Sequence, residues 1–163
     1  MFKQIFLPLI AVMIFITLVG LLSQGKLSFL IPTPAPVANS KTIKIEDVEI
    51  TVEVAKTNEE RATGLSDRTK LADKSGMVFV FDKGSKPIFW MKDTKIELDI
   101  IWIKDNKIVA INKSVQPEPN VADAKLKKYP APSEIDYVLE VNGGFSDKNK
   151  IKAGQSLSGL EQL

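Results

Sequence analysis

Between residues 42 and 55 apolar and polar positions alternate: Ile43 and Ile45 precede Glu46-Asp47, and Val48, Ile50, Val52 and Val54 follow it. A period of two is that of a strand with one buried face, and two such runs around a short polar break predict a hairpin. The period then changes. Thr57-Asn58-Glu59-Glu60 has the form of a capping box, with the Thr57 hydroxyl accepting from the Glu60 amide, and Gly64 stands where a helix of about 58–63 should end. Dense β-type runs follow at Met77–Phe81, Ile88–Met91, Leu98–Ile103, Ile108–Val115 and Tyr137–Val141, with Asp105-Asn106 as a tight-turn signal between two of them. A loop carrying Pro117, Pro119, Pro130 and Pro132 interrupts the series. Gly143-Gly144 opens a second short helix to about Lys150, and a last strand or turn lies near Leu157. About seven short strands and two brief helices predict a mainly β domain, a small antiparallel sandwich or barrel-like fold.

The N-terminus follows a different pattern. Residues 5–22, IFLPLIAVMIFITLVGLL, run without a charge and at 1.5 Å per residue just reach across a bilayer core. They are expected to form a transmembrane signal anchor, with residues 1–26 as the anchor, 27–41 as a Pro-rich linker and 42–163 as the β domain. A cleaved signal peptide is the alternative, although Leu21 to Gly25 offer no small-x-small cleavage pattern. A short N-terminal stub with Lys3 is expected to stay in the cytoplasm, placing the C-terminal domain outside the cell membrane. The alternation of Pro with small residues in 32–40, PTPAPVANS, reads as an extended spacer.

This division alters the meaning of the composition. Of the 72 apolar residues, 24 lie within the first 40 positions, and the net charge of +2 comes from Lys3 and Lys26, leaving 20 basic and 20 acidic side chains beyond them. A neutral domain argues against nucleic acid as a partner, since phosphate recognition needs a basic face. The chain has no Cys and no His, which excludes thiol nucleophiles, disulfides, Ser-His-Asp triads and most zinc sites. No cofactor and no metal are expected.

Five blocks carry a resemblance: Arg61–Arg68 (RATGLSDR), Gly76–Phe81 (GMVFVF), Phe89–Thr94 (FWMKDT), Leu98–Trp102 (LDIIW) and Tyr137–Gly144 (YVLEVNGG). Over about residues 42–157 they resemble, in order and spacing, the domain-of-unknown-function family numbered 192. The resemblance implies a compact, mostly β domain of bacterial and archaeal proteins, often behind a signal or anchor, and implies no activity. Asp93 stands where that family more usually has Asn, and Glu97 where it more usually has Pro.

Chemistry-bearing residues each have a functional and a structural reading. Arg61 and Arg68 flank the helix end and suit planar pairing with a carboxylate; they would capture an anionic ligand or act as internal clamps, with Asp99 or Glu140 as partners. Asp99 precedes an apolar run, where an unpaired charge is costly, so a partner is expected. Trp90, Lys92 and Asp93 end a strand in a polar segment suited to a site, Trp90 alternatively serving as core or pocket wall. Asp93, Glu97 and Asp99 are spaced to share a strand face, as a carboxylate pair or an oxygen-ligand cation site. Asn112-Lys113-Ser114 matches a glycosylation sequon, and Lys125-Leu126-Lys127-Lys128 forms a small basic cluster near Tyr129 that would be a solvated loop or touch anionic headgroups. The leading expectation is a ligand-binding or accessory module of the cell envelope, holding a small polar ligand or envelope component against Arg61, Arg68, Trp90, Lys92, Asp93 and Asp99. The alternative is a hydrolase of envelope carbohydrate using two carboxylates from Asp93, Glu97, Asp99 and Glu140. A purely structural partner domain would instead expose an apolar patch.

Overall fold

A computed structural model describes residues 40–163. The expected anchor and nearly all of the linker lie outside the described residues. Among the described residues no helix is long and apolar enough to cross a membrane.

The chain begins with the hairpin of β1 (Lys41–Ile45) and β2 (Val48–Ala55), turned at Glu46, whose φ of 49° is left-handed. Helix α1 (Asn58–Thr63) follows with the capping box in place: the Glu60 amide donates to Thr57 Oγ1 at 3.1 Å, and the Glu60 carboxylate accepts from the Thr57 amide at 2.9 Å. These local elements form where the pattern places them. Strands β3 (Ser75–Ser85), β4 (Ile88–Phe89), β5 (Leu98–Lys104), β6 (Lys107–Val115), β7 (Tyr129–Pro130) and β8 (Ile135–Asn142) come next, then helix α2 (Phe145–Lys148) and β9 (Leu157–Ser158). Asp105 and Asn106 both have positive φ, 48° and 57°, the geometry that matches the twist of a two-residue hairpin.

Seven strands form one sheet in the order β6-β5-β8-β3-β2-β1-β9, and β4 pairs with β7 apart from it. The fold is therefore mainly β, but it is a single curled sheet and not a sandwich. Nor is it wholly antiparallel: β2 and β3 run parallel, joined by a crossover through α1. An antiparallel neighbour can follow a two-residue turn, whereas a parallel one needs a connection long enough to return the chain, and residues 56–74 supply it. At one end the curl brings the two sheet edges together. The Ile108 amide donates to the Gln155 carbonyl at 3.0 Å and the Leu157 amide to the Asn106 carbonyl at 2.8 Å, so the start of β6 meets the approach to β9. These bonds satisfy edge groups that would otherwise be open to another chain.

The inner face buries Ile43, Ile50, Val78, Ile101, Leu139 and Phe145 among others. The opposite face carries a second core, with Phe79, Leu98, Ile100, Trp102 and Val138, and is covered by Leu65 and Leu71 of the turn after α1, by Phe89, Met91 and Ile96, and by Tyr129. Strand β5, LDIIWIK, is buried on both faces because each side has its own cover. Gly76 permits the central pairing, since a Cβ there would lie 2.5 Å from the Glu140 carbonyl.

Candidate functional site

The second face holds a pocket of about 230 Å³ between the end of α1, the 64–66 turn, β4 and the middle of the sheet. Its walls are aromatic. Phe89 stands edge-on to Phe79 at 5.0 Å and to Trp102 at 5.5 Å, with Phe81 at 6.1 Å. Gly64 shapes one side: its φ is +46°, and a Cβ there would press on the Phe79 ring at 3.2 Å.

Glu140 lines this pocket from β8, between Met77 of β3 and Ile100 of β5. It is 5% exposed. Among the described residues its carboxyl pairs with no cation and accepts no hydrogen bond, and burial alone pushes its pKa up to about 8. The carboxyl is therefore mostly protonated at neutral pH, a hydrogen-bond donor set among phenyl rings.

The residues expected to form a site are distributed differently from the expectation. Arg61 is a clamp, but its partners are neither Asp99 nor Glu140: it donates to the carbonyls of Lys56 and Val80 (2.5 and 2.8 Å) and to Asn58 Oδ1 (2.6 Å), with its guanidinium 5.0 Å from the centre of the Phe81 ring. It thereby ties α1 to β3 at the pocket wall. Arg68 grips Glu53 with both nitrogens, at 2.5 and 2.7 Å, and this hydrogen bonding raises the Arg68 pKa. It lines a neighbouring groove with Glu53, Glu59 and Glu60 instead of the aromatic pocket.

Asp99 has the expected partners in an unexpected form. Its carboxylate accepts from the backbone amides of Ser114, Gly144 and Ser146 at 2.8, 3.1 and 2.8 Å, capping the entry to α2 while fixing the end of β6. No arginine is involved. Asp93, Glu97 and Asp99 do not share a strand face, because β5 begins only at Leu98. Asp93 sits in the turn closed by the Thr94 amide on the Met91 carbonyl (3.1 Å), with φ 52°; Asn and Asp tolerate that conformation better than other non-glycine residues. The Asn that the resemblance implies at this position would suit the same backbone turn. Glu97 is exposed, its carboxyl held below the ordinary range by hydrogen bonds with Ser114 and Gln116. Its carbonyl accepts from the Gly143 amide at 2.8 Å, a contact that proline would make equally. No group of acidic side chains able to hold a metal ion occurs among the described residues.

Lys92 does not continue a strand, since β4 ends at Phe89; it pairs with Asp123 at 2.8 Å at the pocket rim. Trp90 is a pocket wall, 41% exposed, with Lys128 Nζ 4.3 Å from its ring centre. Asn112 of the sequon accepts from the Trp102 indole at 2.6 Å, so its side chain is engaged internally. Glu140 is the residue that sequence reasoning undervalued. The signal was present in YVLEVN, where the run Val138 to Val141 is apolar on both faces and a carboxylate interrupts it.

The family profile of DUF192, described as an uncharacterised ACR, matches residues 41–159. The chain belongs to the DUF192 family. Two crystal structures share this DUF192 fold. One, from Sinorhizobium meliloti 1021 and provisionally named a transcription regulator, is 26% identical, with 77% of this chain and 97% of that one covered at a TM-score of 0.65. The other, a protein of unknown function from Novosphingobium aromaticivorans DSM 12444, is 30% identical, with coverage of 78% and 91% at a TM-score of 0.65. No curated protein matches the chain. The match takes up nearly the whole of both solved relatives, which form this fold with little chain beyond it.

Proposed function

We propose that this DUF192 domain is a binding module that takes a small ligand into the aromatic-walled pocket over Glu140, and that residues 5–22 anchor it in the cell membrane with the domain outside the cytoplasm. One observation carries the binding reading: a buried carboxyl without a partner among the described residues opens on a pocket. An apolar residue at that position would pack between Met77 and Ile100 without the desolvation penalty, so the carboxyl has a use that packing does not explain. Its proton is donated to an oxygen acceptor on the ligand, whose apolar body lies against the phenyl rings. The anchor reading is supported by the uncharged 18-residue run and the Pro-rich spacer.

The hydrolase alternative requires two carboxyls facing one cleft about 5–10 Å apart. Among the described residues Glu140 is the only acid that lines the pocket, and Asp99 is consumed by backbone amides. A nucleic-acid partner gains no support here, since phosphate recognition needs a basic face and 20 basic residues are balanced by 20 acidic ones beyond Lys26.

A fragment library rich in cyclic ketones, lactones and ethers, screened by ligand-detected NMR against the domain, tests the binding reading. Fragments that bind wild type should weaken about fivefold to tenfold with Glu140→Leu, the scale of one hydrogen bond, and should be displaced above pH 9. If no fragment binds, or fragments bind Glu140→Leu equally well, the reading is wrong.

A further inference from the structure

Strand β4 and the residue after it alternate sharply: Phe89 packs into the aromatic core, while Ile88 and Trp90 on either side of it point out, 52% and 41% exposed. With Val109 they are the large apolar side chains exposed among the described residues. Both stand at the mouth of the pocket. The pairing Ile88↔Pro130 and Phe89↔Tyr129 sets the basic segment 125–128 beside them. Lys128 lies over the exposed Trp90 ring, Lys127 over Tyr129 at 5.0 Å, and Lys92 joins the rim, balanced by Asp123.

We propose that this rim, formed by Ile88, Trp90, Lys92, Lys127 and Lys128, docks on an anionic lipid surface, so that the pocket opens toward the bilayer. Tryptophan is amphipathic and favours the headgroup level of a bilayer, where an aliphatic residue such as Ile88 enters the acyl boundary. Lysines around them meet the negative surface potential, and the attraction falls off within a Debye length. On a domain with equal numbers of acidic and basic residues beyond Lys26, this local pairing of exposed apolar groups with ammonium groups is what complements anionic lipid. The proposal does not depend on the binding reading for Glu140, because it concerns the mouth and not the floor.

The chain contains two tryptophans, and Trp102 is 1% exposed, so a change in tryptophan emission on docking reports Trp90. The test uses the isolated domain, residues 40–163, with vesicles of phosphatidylcholine alone or with 30% phosphatidylglycerol. The expected result is flotation with the anionic vesicles only, a blue-shifted emission, and release at high salt. Lys127→Glu with Lys128→Glu should weaken binding by more than about fivefold for each lysine reversed, since each reversal removes one attraction and adds a repulsion, and Ile88→Ser or Trp90→Ala at least fivefold. Circular dichroism confirms that these surface variants remain folded, and Glu140→Gln should float like wild type whether or not the pocket reading holds. Absence of flotation with anionic vesicles, or flotation unchanged by the rim substitutions, would overturn the proposal.

Discussion

Two buried carboxyls sit almost side by side on adjacent central strands, and they are treated in opposite ways. Asp99 of β5 lies opposite Val141 and Glu140 of β8 opposite Ile100. Asp99 receives three backbone amides, and each would be an orphan donor without it. Glu140 faces a pocket, receives none, and is held protonated to about 8. Burial by itself therefore says little about what an acid does. The first is a strut that joins β6, the α2 entry and β5; the second is a group left available.

Substitution should separate the two most clearly in stability. Asp99→Ala leaves three backbone amides without their acceptor, one buried and two part-buried, and is expected to destabilise by about 3–5 kcal/mol, the summed cost of unsatisfied donors, read by urea denaturation. Glu140→Gln should act in the other direction. Its raised folded-state pKa means that the folded domain holds a proton the unfolded chain has released, so this group lowers stability progressively as pH rises from about 4.5 to about 8. Below that window it contributes no penalty, and above it the loss is complete. The variant should match wild type near pH 4 and exceed it by about 4 kcal/mol at pH 8, seen as a Tm difference that grows with pH. A difference independent of pH would mean that the proton is not the cause.

Smaller effects follow away from the pair. Arg68→Ala removes the bidentate bond to Glu53, both partly exposed, and should cost about 1 kcal/mol, with little further loss when Glu53→Ala is combined with it in a double-mutant cycle. Asp93→Asn should lie within about 0.5 kcal/mol of wild type or slightly above it, because Asn suits the left-handed turn at least as well; a loss of more than that in chemical denaturation would show that the Asp93 carboxylate has a partner of its own.

The contrast also explains what could be read from the chain. The β1-β2 hairpin, the Thr57 capping box and the Asp105-Asn106 turn are local, encoded within a few residues, and all three form as expected. Strand order is not local: nothing in residues 48–55 or 75–85 distinguishes a parallel from an antiparallel neighbour, and the pairing emerges only when the 56–74 crossover is placed. Asp99 was legible as a buried charge needing partners, yet backbone amides cannot be anticipated from side-chain spacing, so arginines were the natural expectation. Both arginines have other acceptors: Arg61 the Lys56 and Val80 carbonyls and Asn58, and Arg68 the Glu53 carboxylate on β2. Glu140 breaks an apolar run in the same manner as Asp99. Its isolation depends on which walls residues 64–66 and 87–94 build over it, and that is a property of the folded chain.

Glu140 is an acid in the pocket floor with no partner among the described residues, and a ¹³C NMR titration of its side-chain carboxyl in the folded domain measures its state directly. A midpoint at about 8 is expected; a midpoint in the ordinary carboxylate range would mean that the group is solvated or paired, and would contradict the assignment of the pocket.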